Sequence, residues 1–331
     1  MINADGSISD ATLEVALAAV RGASRLTAAA QGRLVAGETI TKGDDSPVTV
    51  ADFAAQAIVC STLVDGLGDV AIVGEEDASD LRDGSDASTT LLAGVTALVS
   101  NELGRDIDGG QVADWVGMGS SDASEDVYWT LDPIDGTKGF LRGDQFAIAL
   151  GLIAGGEVVL GVLGCPNMSN ADGSTGAVFV GANGRSEMYL GGAGRAVPVT
   201  VDDPATLAEA RLCESVESGH SDHDQSVQIA RALGVTTDPF RIDSQCKYGA
   251  IARGDASIYL RLPTRADYVE KIWDHAAGKF VVEQAGGTVT DVTGAPLDFS
   301  KGARLSANSG VVATSGRFHD EVITAVTSVL G

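Results

Sequence analysis

The chain has 331 residues, 44% of them hydrophobic and 21% charged, which is typical of a globular protein long enough for two domains. Its formal net charge of −24 argues against nucleic acids and anionic membranes as partners, because both repel an acidic surface. Because no apolar run approaches ~20 residues and the N-terminus has no basic start before an apolar stretch, we expect a cytoplasmic protein.

The N-terminal part is predicted to hold two helices and a short strand. Residues 10–35 are rich in Ala and carry apolar residues at helical spacing. A second helix is predicted from about residue 49, with apolar positions at i, i+4, i+7 and i+11. Asp52 lies beside that apolar stripe in the first turn, so it need not be buried in the core. Residues 70–73 predict a buried strand that runs into two glutamates.

The middle of the chain is predicted to be mostly strand. Residues 78–126 carry a weak signal that indicates a helix or two and no chemistry. Residues 127–131 predict a short strand that ends on Asp132. Four more strands are predicted, the first two joined through Gly155-Gly156 as a hairpin, at residues 146–153, 158–165, 177–180 and 188–190.

A Gly-rich stretch at residues 191–198 indicates a domain boundary. It divides an N-terminal α+β domain, residues 1–195, from a C-terminal α/β domain, residues 196–331. Helix and strand patterns alternate beyond it, as in an α/β layer. The elements predicted there are helices at residues 225–233 and 274–284, strands at 257–262 and 288–292, and a closing helix.

The four cysteines lie far apart and include no C-x-x-C pair, which disfavours a metal or redox site. We expect them to be buried free thiols, as is usual in a reducing cytosol. They are Cys60, Cys165, Cys213 and Cys246.

The segment LDPIDGTKGF, residues 131–140, holds the densest set of chemistry-bearing residues. Pro133 fixes φ and stiffens the turn, which directs Asp132 and Asp135 towards each other. Carboxylates and a carbonyl such as that of Ile134 are the oxygen ligands that Mg²⁺ prefers. An Asp-rich turn with a helix cap would also explain this spacing when it is taken alone.

Neighbouring residues extend the pattern. The N–H groups of Gly136 and Thr137 open a predicted helix and can face an anion. Glu75 follows a buried strand, at the edge where α/β proteins place ligands, whereas Glu76 is interpreted as a solvated loop charge. Asp274 opens another predicted helix, where a simple N-cap is an equal explanation.

Three motifs, in this order, resemble the inositol monophosphatase superfamily of metal-dependent, lithium-sensitive phosphatases. They are VGEED at residues 73–77, LDPIDGTKGF at 131–140 and WDHAAG at 273–278. Independent helix caps would not fall into this pattern, so the resemblance outweighs the structural explanations of the single acids.

Further segments resemble the bisphosphate nucleotidase branch of this superfamily. They are SPVTVADFAAQ (46–56), GTKGFLRGDQFAIALGLI (136–153), VESGHSDHD (216–224), DSQCKYGAIARGDASIYLRLP (243–263) and EKIWDHAAG (270–278). Lys138-Gly139 stands where inositol monophosphatases more usually carry Thr-Asn. The resemblance covers roughly residues 46–77 and 129–291. It implies a layered α/β/α/β/α sandwich of the α/β class, with the active site between two domains.

The resemblance also implies a role for each matching residue. The implied metal ligands are the carboxylates of Glu75, Asp132, Asp135 and Asp274 and the carbonyl of Ile134. The pair implied to position and activate the attacking water is Asp52 and Thr137. The implied substrate contacts are Gly136, Thr137, His220, Ser244, Lys247 and Arg261. Of these, His220 would line an adenine, and the two cations suit a second, non-reacting phosphate.

The implied reaction is hydrolysis of the 3'-phosphate of 3'-phosphoadenosine 5'-phosphate to AMP, with two or three Mg²⁺ ions per site. It would belong to sulfur assimilation or nucleotide salvage, with the 5'-phosphosulfate analogue as a further candidate substrate. We expect a monomer that binds this small nucleotide and neither nucleic acid nor membrane.

Two other functions stay open at this point. One is an inositol (poly)phosphate phosphatase on the same scaffold, and the other is a catalytically inactive nucleotide-binding module. The presence of every implied ligand argues against the inactive module. The acidity opposes capture of a polyanion, and adaptation to high salt or an ordinary acidic cytosolic enzyme explains it equally well.

Overall fold

The computed structural model describes residues 1–32, 39–41, 47–192, 194–216, 223–263, 265 and 267–331. The helices in these ranges are α1 (Asp10–Gln31), α2 (Val50–Leu67), α3 (Ser79–Arg82), α4 (Asp86–Leu103), α5 (Gly109–Gly117), α6 (Thr137–Arg142), α7 (His223–Leu233), α8 (Cys246–Ala252), α9 (Ala276–Gln284) and α10 (His319–Leu330). The N-terminal strands are β1 (Thr39–Thr41), β2 (Pro47–Thr49), β3 (Ile72–Gly74), β4 (Val127–Asp135), β5 (Ala147–Ala154), β6 (Glu157–Ser169), β7 (Thr175–Ala182), β8 (Arg185–Leu190) and β9 (Ala196–Pro198). The later strands are β10 (Leu212–Glu214), β11 (Phe240–Arg241), β12 (Ile258–Arg261), β13 (Thr288–Thr290) and β14 (Val311–Thr314).

The larger sheet has seven strands in the order β3-β4-β5-β6-β7-β8-β9. β3 runs parallel to β4, and the other pairs are antiparallel. Successive residues point to opposite faces, so Trp129 and Leu131 pack towards α1 and α2 whereas Tyr128 packs on the other side. Both faces of this sheet are therefore buried. This explains why its long strands are apolar on both faces instead of alternating between apolar and polar residues.

The smaller sheet has five strands in the order β11-β10-β12-β14-β13. α8 and α9 lie between the two sheets, and α7 and α10 cover the outer face of the smaller one. From one side to the other the layers are helix, sheet, helix, sheet and helix. This is the α/β/α/β/α order that the motif resemblance implied.

α9 approaches the larger sheet closely. A Cβ on Gly161 of β6 would lie 2.5 Å from the carbonyl oxygen of Ala277, a distance that real Cβ atoms do not adopt. Gly161 therefore lets the first turn of α9 rest directly on the sheet. The turn before α9, which carries Asp274, is positioned by this contact.

α2 has the length and composition of a membrane span, but 72% of it is buried inside the structure, as a core helix is. The four cysteines are free and buried, which confirms that prediction. The first sheet extends through Pro198, three residues past the predicted boundary at 195/196, because β9 pairs with β8. The division into two domains stays a prediction.

Candidate active site

Asp132 and Asp135 lie at the end of β4, where the strand carries a bulge. Asp132 pairs with Ala149 of β5 and Asp135 with Ala147, so three steps along β4 match two along β5. Residues three apart in a regular strand face opposite sides, and the extra residue of a bulge brings them to the same side. Pro133 lacks a backbone N–H, so it leaves no unpaired donor where the bulge interrupts the regular strand pairing. Both carboxylates therefore line one cavity.

Glu75 reaches the same cavity from the neighbouring strand. Because β3 and β4 are parallel, with Gly74 opposite Leu131, Glu75 directly follows the carboxyl end of β3 and lies beside Asp132 of β4. The N–H of Glu75 donates to the carbonyl of Leu131 at 3.1 Å, which continues the pairing by one residue. This edge brings a third carboxylate to the site.

Asp274 lies in a turn two residues before α9, where the sequence predicted that it opens the helix. Gln245, which is 3% exposed, holds this turn. Its side chain donates to the carbonyl of Trp273 at 2.9 Å and accepts from the N–H of Gly278 at 3.3 Å. Its own N–H donates to the carboxylate of Asp135. One residue thus fixes two predicted ligands relative to each other.

Two acids are more buried than the sequence indicated. Glu76, interpreted as a solvated charge, is 3% exposed, because Gln56 of α2 accepts from its N–H at 3.2 Å and donates to its carbonyl at 2.6 Å. Asp52, whose burial the sequence left open, is 2% exposed. Thr137 lines the cavity, and its hydroxyl donates to the carbonyl of Ile134 at 3.3 Å. The pairing of Asp52 with Thr137 stays a prediction.

The cavity has a volume of about 240 Å³. Five carboxylates and four cationic side chains line it, so it combines both signs of charge. The carboxylates belong to Glu75, Asp132, Asp135, Asp243 and Asp274, and the cations to Lys138, Arg142, Lys247 and Arg261. The remaining lining residues are Ile134, Gly136, Thr137, Gly139, Ser215, Ser244, Gln245, Tyr259 and Tyr268. Of the predicted site residues, Asp52 lies outside this lining and His220 lies outside the described residues.

The carboxylate end of the cavity fits hard divalent cations. One carboxylate oxygen each from Asp132, Asp135 and Asp274 lies within 4.8 Å of the other two. Oδ1 of Asp132 is buried and has no hydrogen-bond partner among the described residues. An unpartnered buried oxygen beside like charges is unfavourable unless a cation satisfies it. Oxygen ligands of this kind suit Mg²⁺.

The electrostatics of these acids agree with that reading. Burial, together with the charges of Glu75, Asp135 and Asp274, raises the pKa of Asp132 well above its usual value. Burial and the charge of Asp274 raise the pKa of Asp135 to about 6, against the opposing influence of Lys247. Without a counter-ion the cluster therefore retains protons that a cation would displace.

Binding of Mg²⁺ is expected to weaken as the pH falls through about 6, the pKa of Asp135 in the metal-free protein. A protonated carboxyl is a poor ligand, so the affinity drops by about tenfold per pH unit below that pKa for each proton displaced. Calorimetric titration with Mg²⁺ at pH 5, 6 and 7.5 measures this. The same affinity at all three values would contradict the assignment.

Lys247 and Ser244 line the same cavity. Lys247 is 6% exposed, and its Nζ donates to Ser215 Oγ at 3.1 Å and lies 5.4 Å from the centre of the Tyr259 ring. Burial lowers the pKa of this ammonium. Ser244 has a φ of 63° and faces Gly136, whose Cβ, if present, would lie 2.8 Å from that of Ser244. Glycine at position 136, at a φ of 88°, permits this approach.

Arg261 is more constrained than the prediction assumed. Its Nε donates to Glu270 Oε2 at 2.9 Å, and its Nη2 lies 3.6 Å from Asp274 Oδ2 and 3.4 Å from the hydroxyl of Tyr268. A fork of two parallel hydrogen bonds to a phosphate would have to use the remaining N–H groups. The group of Glu270, Asp274 and His275 could by spacing hold a metal, but this guanidinium already lies beside both of its carboxylates.

Sequence reasoning missed Arg142 and Asp243. Arg142 of α6 donates to Asp144 and Asp243, at 2.9 Å in each case, and the second bond joins α6 to the segment before Ser244. Asp243 also accepts from the N–H of Val216 at 2.9 Å. Both residues lie inside segments that carried the resemblance, yet pairing over 101 positions leaves no local signal in the sequence.

A model described as the inositol monophosphatase family matches residues 9–330. The chain belongs to the inositol monophosphatase family. The relatives include proteins named 3'(2'),5'-bisphosphate nucleotidase from Schizosaccharomyces pombe and Oryza sativa. The first is 41% identical over 338 residues, covering 97% of this chain and 96% of the relative. The second is 41% identical over 357 residues, covering 100% and 97%. The resemblance to that branch is confirmed.

Solved structures with the same fold include the Thermotoga maritima IMPase, with a TM-score of 0.65 and 21% identity, covering 96% of this chain and 97% of that one. The extragenic suppressor protein SuhB of Bartonella henselae also has a TM-score of 0.65, at 19% identity, covering 96% and 98%. These likenesses confirm the predicted layered α/β fold. The roles of the individual site residues stay predictions.

Proposed function

We propose that this chain hydrolyses the 3'-phosphate of 3'-phosphoadenosine 5'-phosphate to give AMP and phosphate, as a cation-dependent 3'(2'),5'-bisphosphate nucleotidase. The observation that carries the proposal is that one cavity is lined both by a carboxylate cluster and by Lys247 and Arg261, which we assign to the reacting and the non-reacting phosphate. A cavity for a phosphate monoester needs only the carboxylate cluster. The names of relatives at 41% identity support the same activity.

The second phosphate of the substrate explains the cationic end. Lys247 is a buried ammonium, and burial of a charge is unfavourable unless a partner compensates it. A phosphate beside Lys247, Arg261 and Ser244 would supply that partner through charge-assisted hydrogen bonds. The anion is attracted locally even though the whole chain carries −24, because screening limits the reach of distant surface charges.

The carboxylate end is assigned to the reacting phosphate. Glu75, Asp132, Asp135, Asp274 and the Ile134 carbonyl would hold the cations. Bound divalent cations neutralise charge on the transferring phosphoryl group and lower the pKa of the attacking water.

The remaining residues of the reacting end have positional roles. Thr137 orients the attacking water. Asp52, in the buried first turn of α2, acts together with Thr137 to activate that water. Gly136, at its positive φ, keeps the backbone close to the reacting phosphate and leaves room for Ser244.

The finer parts of the proposal are Mg²⁺ as the physiological cation, two or three ions per site, and the 5'-phosphosulfate analogue as a second substrate. A role in sulfur assimilation or nucleotide salvage, lithium sensitivity, a cytoplasmic location, a monomeric state, and the absence of nucleic-acid and membrane partners belong to the same proposal. His220 is proposed to line the adenine.

Metal removal tests the proposal. Purified protein is incubated with 3'-phosphoadenosine 5'-phosphate in Mg²⁺, then in EDTA, then with Mg²⁺ restored, while phosphate release is followed. Release that stops in EDTA and returns with Mg²⁺ is the expected result. Folded protein that binds Mg²⁺ and the nucleotide but releases no phosphate would favour the inactive binding module.

A further inference from the structure

A buried chain of hydrogen bonds leads from α8 to the guanidinium of Arg261. The hydroxyl of Tyr248 lies 2.8 Å from His275 Nδ1, and His275 Nε2 lies 3.1 Å from Glu270 Oε2. The same Glu270 oxygen accepts from Arg261 Nε at 2.9 Å. Tyr248 is 1% exposed, His275 is fully buried and Glu270 is 5% exposed, so water does not loosen the chain.

The carboxylate of Glu270 fixes the direction of one hydrogen bond in this chain. Burial opposes the ionisation of Glu270, but the hydrogen bond from His275 and the charge of Arg261 more than offset it and lower its pKa to about 2. A carboxylate only accepts hydrogen bonds, so His275 Nε2 carries the proton. Nδ1 of the same ring shares a hydrogen bond with the hydroxyl of Tyr248, so both ring nitrogens are held. His275, itself held by Tyr248, therefore keeps Glu270 in one orientation.

The ion pair with Glu270 sets the orientation of the Arg261 guanidinium. With Nε bound to Glu270, the guanidinium plane is fixed, and Nη1 makes no hydrogen bond among the described residues while the residue lines the cavity. Without Glu270, the nearest remaining carboxylate is Asp274, 3.6 Å from Nη2. The arginine would then turn towards a predicted metal ligand and away from an incoming anion.

We propose that Glu270 is a positioning residue that holds Arg261 for the non-reacting phosphate and keeps it from pairing fully with Asp274. This assignment rests on the proposed function and deepens it, because it names the residue that prepares the second-phosphate end of the cavity. Glu270 itself does not touch the substrate in this scheme.

The test is Glu270→Gln, compared with wild type on 3'-phosphoadenosine 5'-phosphate and on inositol 1-phosphate, which has no second phosphate. We expect KM for the nucleotide to rise about 20-fold with kcat within about twofold, because a displaced charge pair costs about 2 kcal/mol. At saturating Mg²⁺, which keeps Asp274 occupied as a metal ligand, kinetics on inositol 1-phosphate should stay unchanged. Glu283→Gln, which removes a carboxylate of α9 paired with Lys279, is the matched control.

A double-mutant cycle separates positioning from general damage. If Glu270 acts through Arg261, then Glu270→Gln adds no further loss to Arg261→Ala. Additive losses, or equal losses of kcat on both substrates, would overturn the proposal. Should Glu270→Gln not fold, Tyr248→Phe, which removes one hydroxyl at the far end of the chain, should raise the same KM about threefold, and an unchanged KM would count against the proposal.

AMP binding in EDTA, where no turnover takes place, is measured in parallel by calorimetry. A wild type that binds AMP but releases no phosphate refutes the proposed function, and the effect of Glu270→Gln on AMP affinity then still decides this inference. A wild type that turns over the nucleotide, with Glu270→Gln unchanged in KM and AMP affinity, refutes the inference alone.

Discussion

Asp132→Asn is expected to lower kcat/KM for 3'-phosphoadenosine 5'-phosphate by about 10³-fold, about 4 kcal/mol of transition-state stabilisation. Asp132 is 2% exposed, and its Oδ1 has no hydrogen-bond partner among the described residues. A neutral amide keeps the shape of the side chain but is a weaker ligand for a divalent cation. Steady-state phosphate release at saturating Mg²⁺ measures the loss.

The same substitution is expected to stabilise the metal-free protein. Burial and the charges of Glu75, Asp135 and Asp274 oppose the ionisation of Asp132 and raise its pKa, so replacing this carboxyl with an amide removes an unfavourable contribution to folding. We expect Tm in EDTA to rise by about 2 °C or more, and the stabilisation by Mg²⁺ to shrink.

Thermal unfolding with and without Mg²⁺ measures both effects. Asp65→Asn, at a side chain that is 70% exposed, is the control. If Asp132→Asn lost activity but kept the full Mg²⁺-dependent rise in Tm, Asp132 would not be a metal ligand.

Lys247→Met is expected to raise KM for 3'-phosphoadenosine 5'-phosphate by about 100-fold while kcat changes by less than about threefold. Lys247 is a buried cation that we assign to the non-reacting phosphate, and loss of one partner of a buried charge pair costs about 3 kcal/mol. Methionine keeps most of the side-chain volume, so the packing against Tyr259 is largely retained.

A second substrate that lacks the non-reacting phosphate separates a loss of phosphate binding by Lys247 from a general loss of activity. Inositol 1-phosphate offers nothing for Lys247 to bind, so its KM should stay within about twofold. Lys301→Met removes an equal charge at a side chain that is 51% exposed and should be silent on both substrates. A similar loss on both substrates would instead place Lys247 at the carboxylate end.

The fold could be predicted largely because its strands and helices carry strong local patterns. The long apolar segments that become β5 and β6 and the helical spacing in α2 predict elements without tertiary information. The strands β10 and β14 were not predicted. They are three and four residues long, and their burial between layers leaves no alternation to detect.

The part of the candidate site that lies within a single segment could be predicted from the sequence. Asp132 and Asp135 share a short motif, and a bulge converts their spacing into a common direction. The burial of Asp52 and Glu76 was not predicted, because it depends on how the turn after β3 packs against α2. Gln245 was missed as well, since its partners Trp273 and Gly278 are distant in the sequence.

The state of Arg261 could not be read from the sequence at all. A basic residue in a matching motif predicts an anion contact, but only the structure shows that Glu270 already occupies its Nε. Whether such a cation is free or already ion-paired depends on side-chain geometry between β12 and the segment before α9. The structure therefore adds Glu270 as the partner of Arg261, the predicted anion contact.

Competition between two substrates in one tube tests the central claim most directly. Equal amounts of 3'-phosphoadenosine 5'-phosphate and inositol 1-phosphate are supplied with Mg²⁺, and the products are followed by phosphorus NMR. We expect AMP and phosphate to appear while the inositol ester persists, with kcat/KM favouring the nucleotide by at least about 100-fold. Equal consumption of both, or preference for the inositol ester, would contradict the assignment of Ser244, Lys247 and Arg261 to a second phosphate.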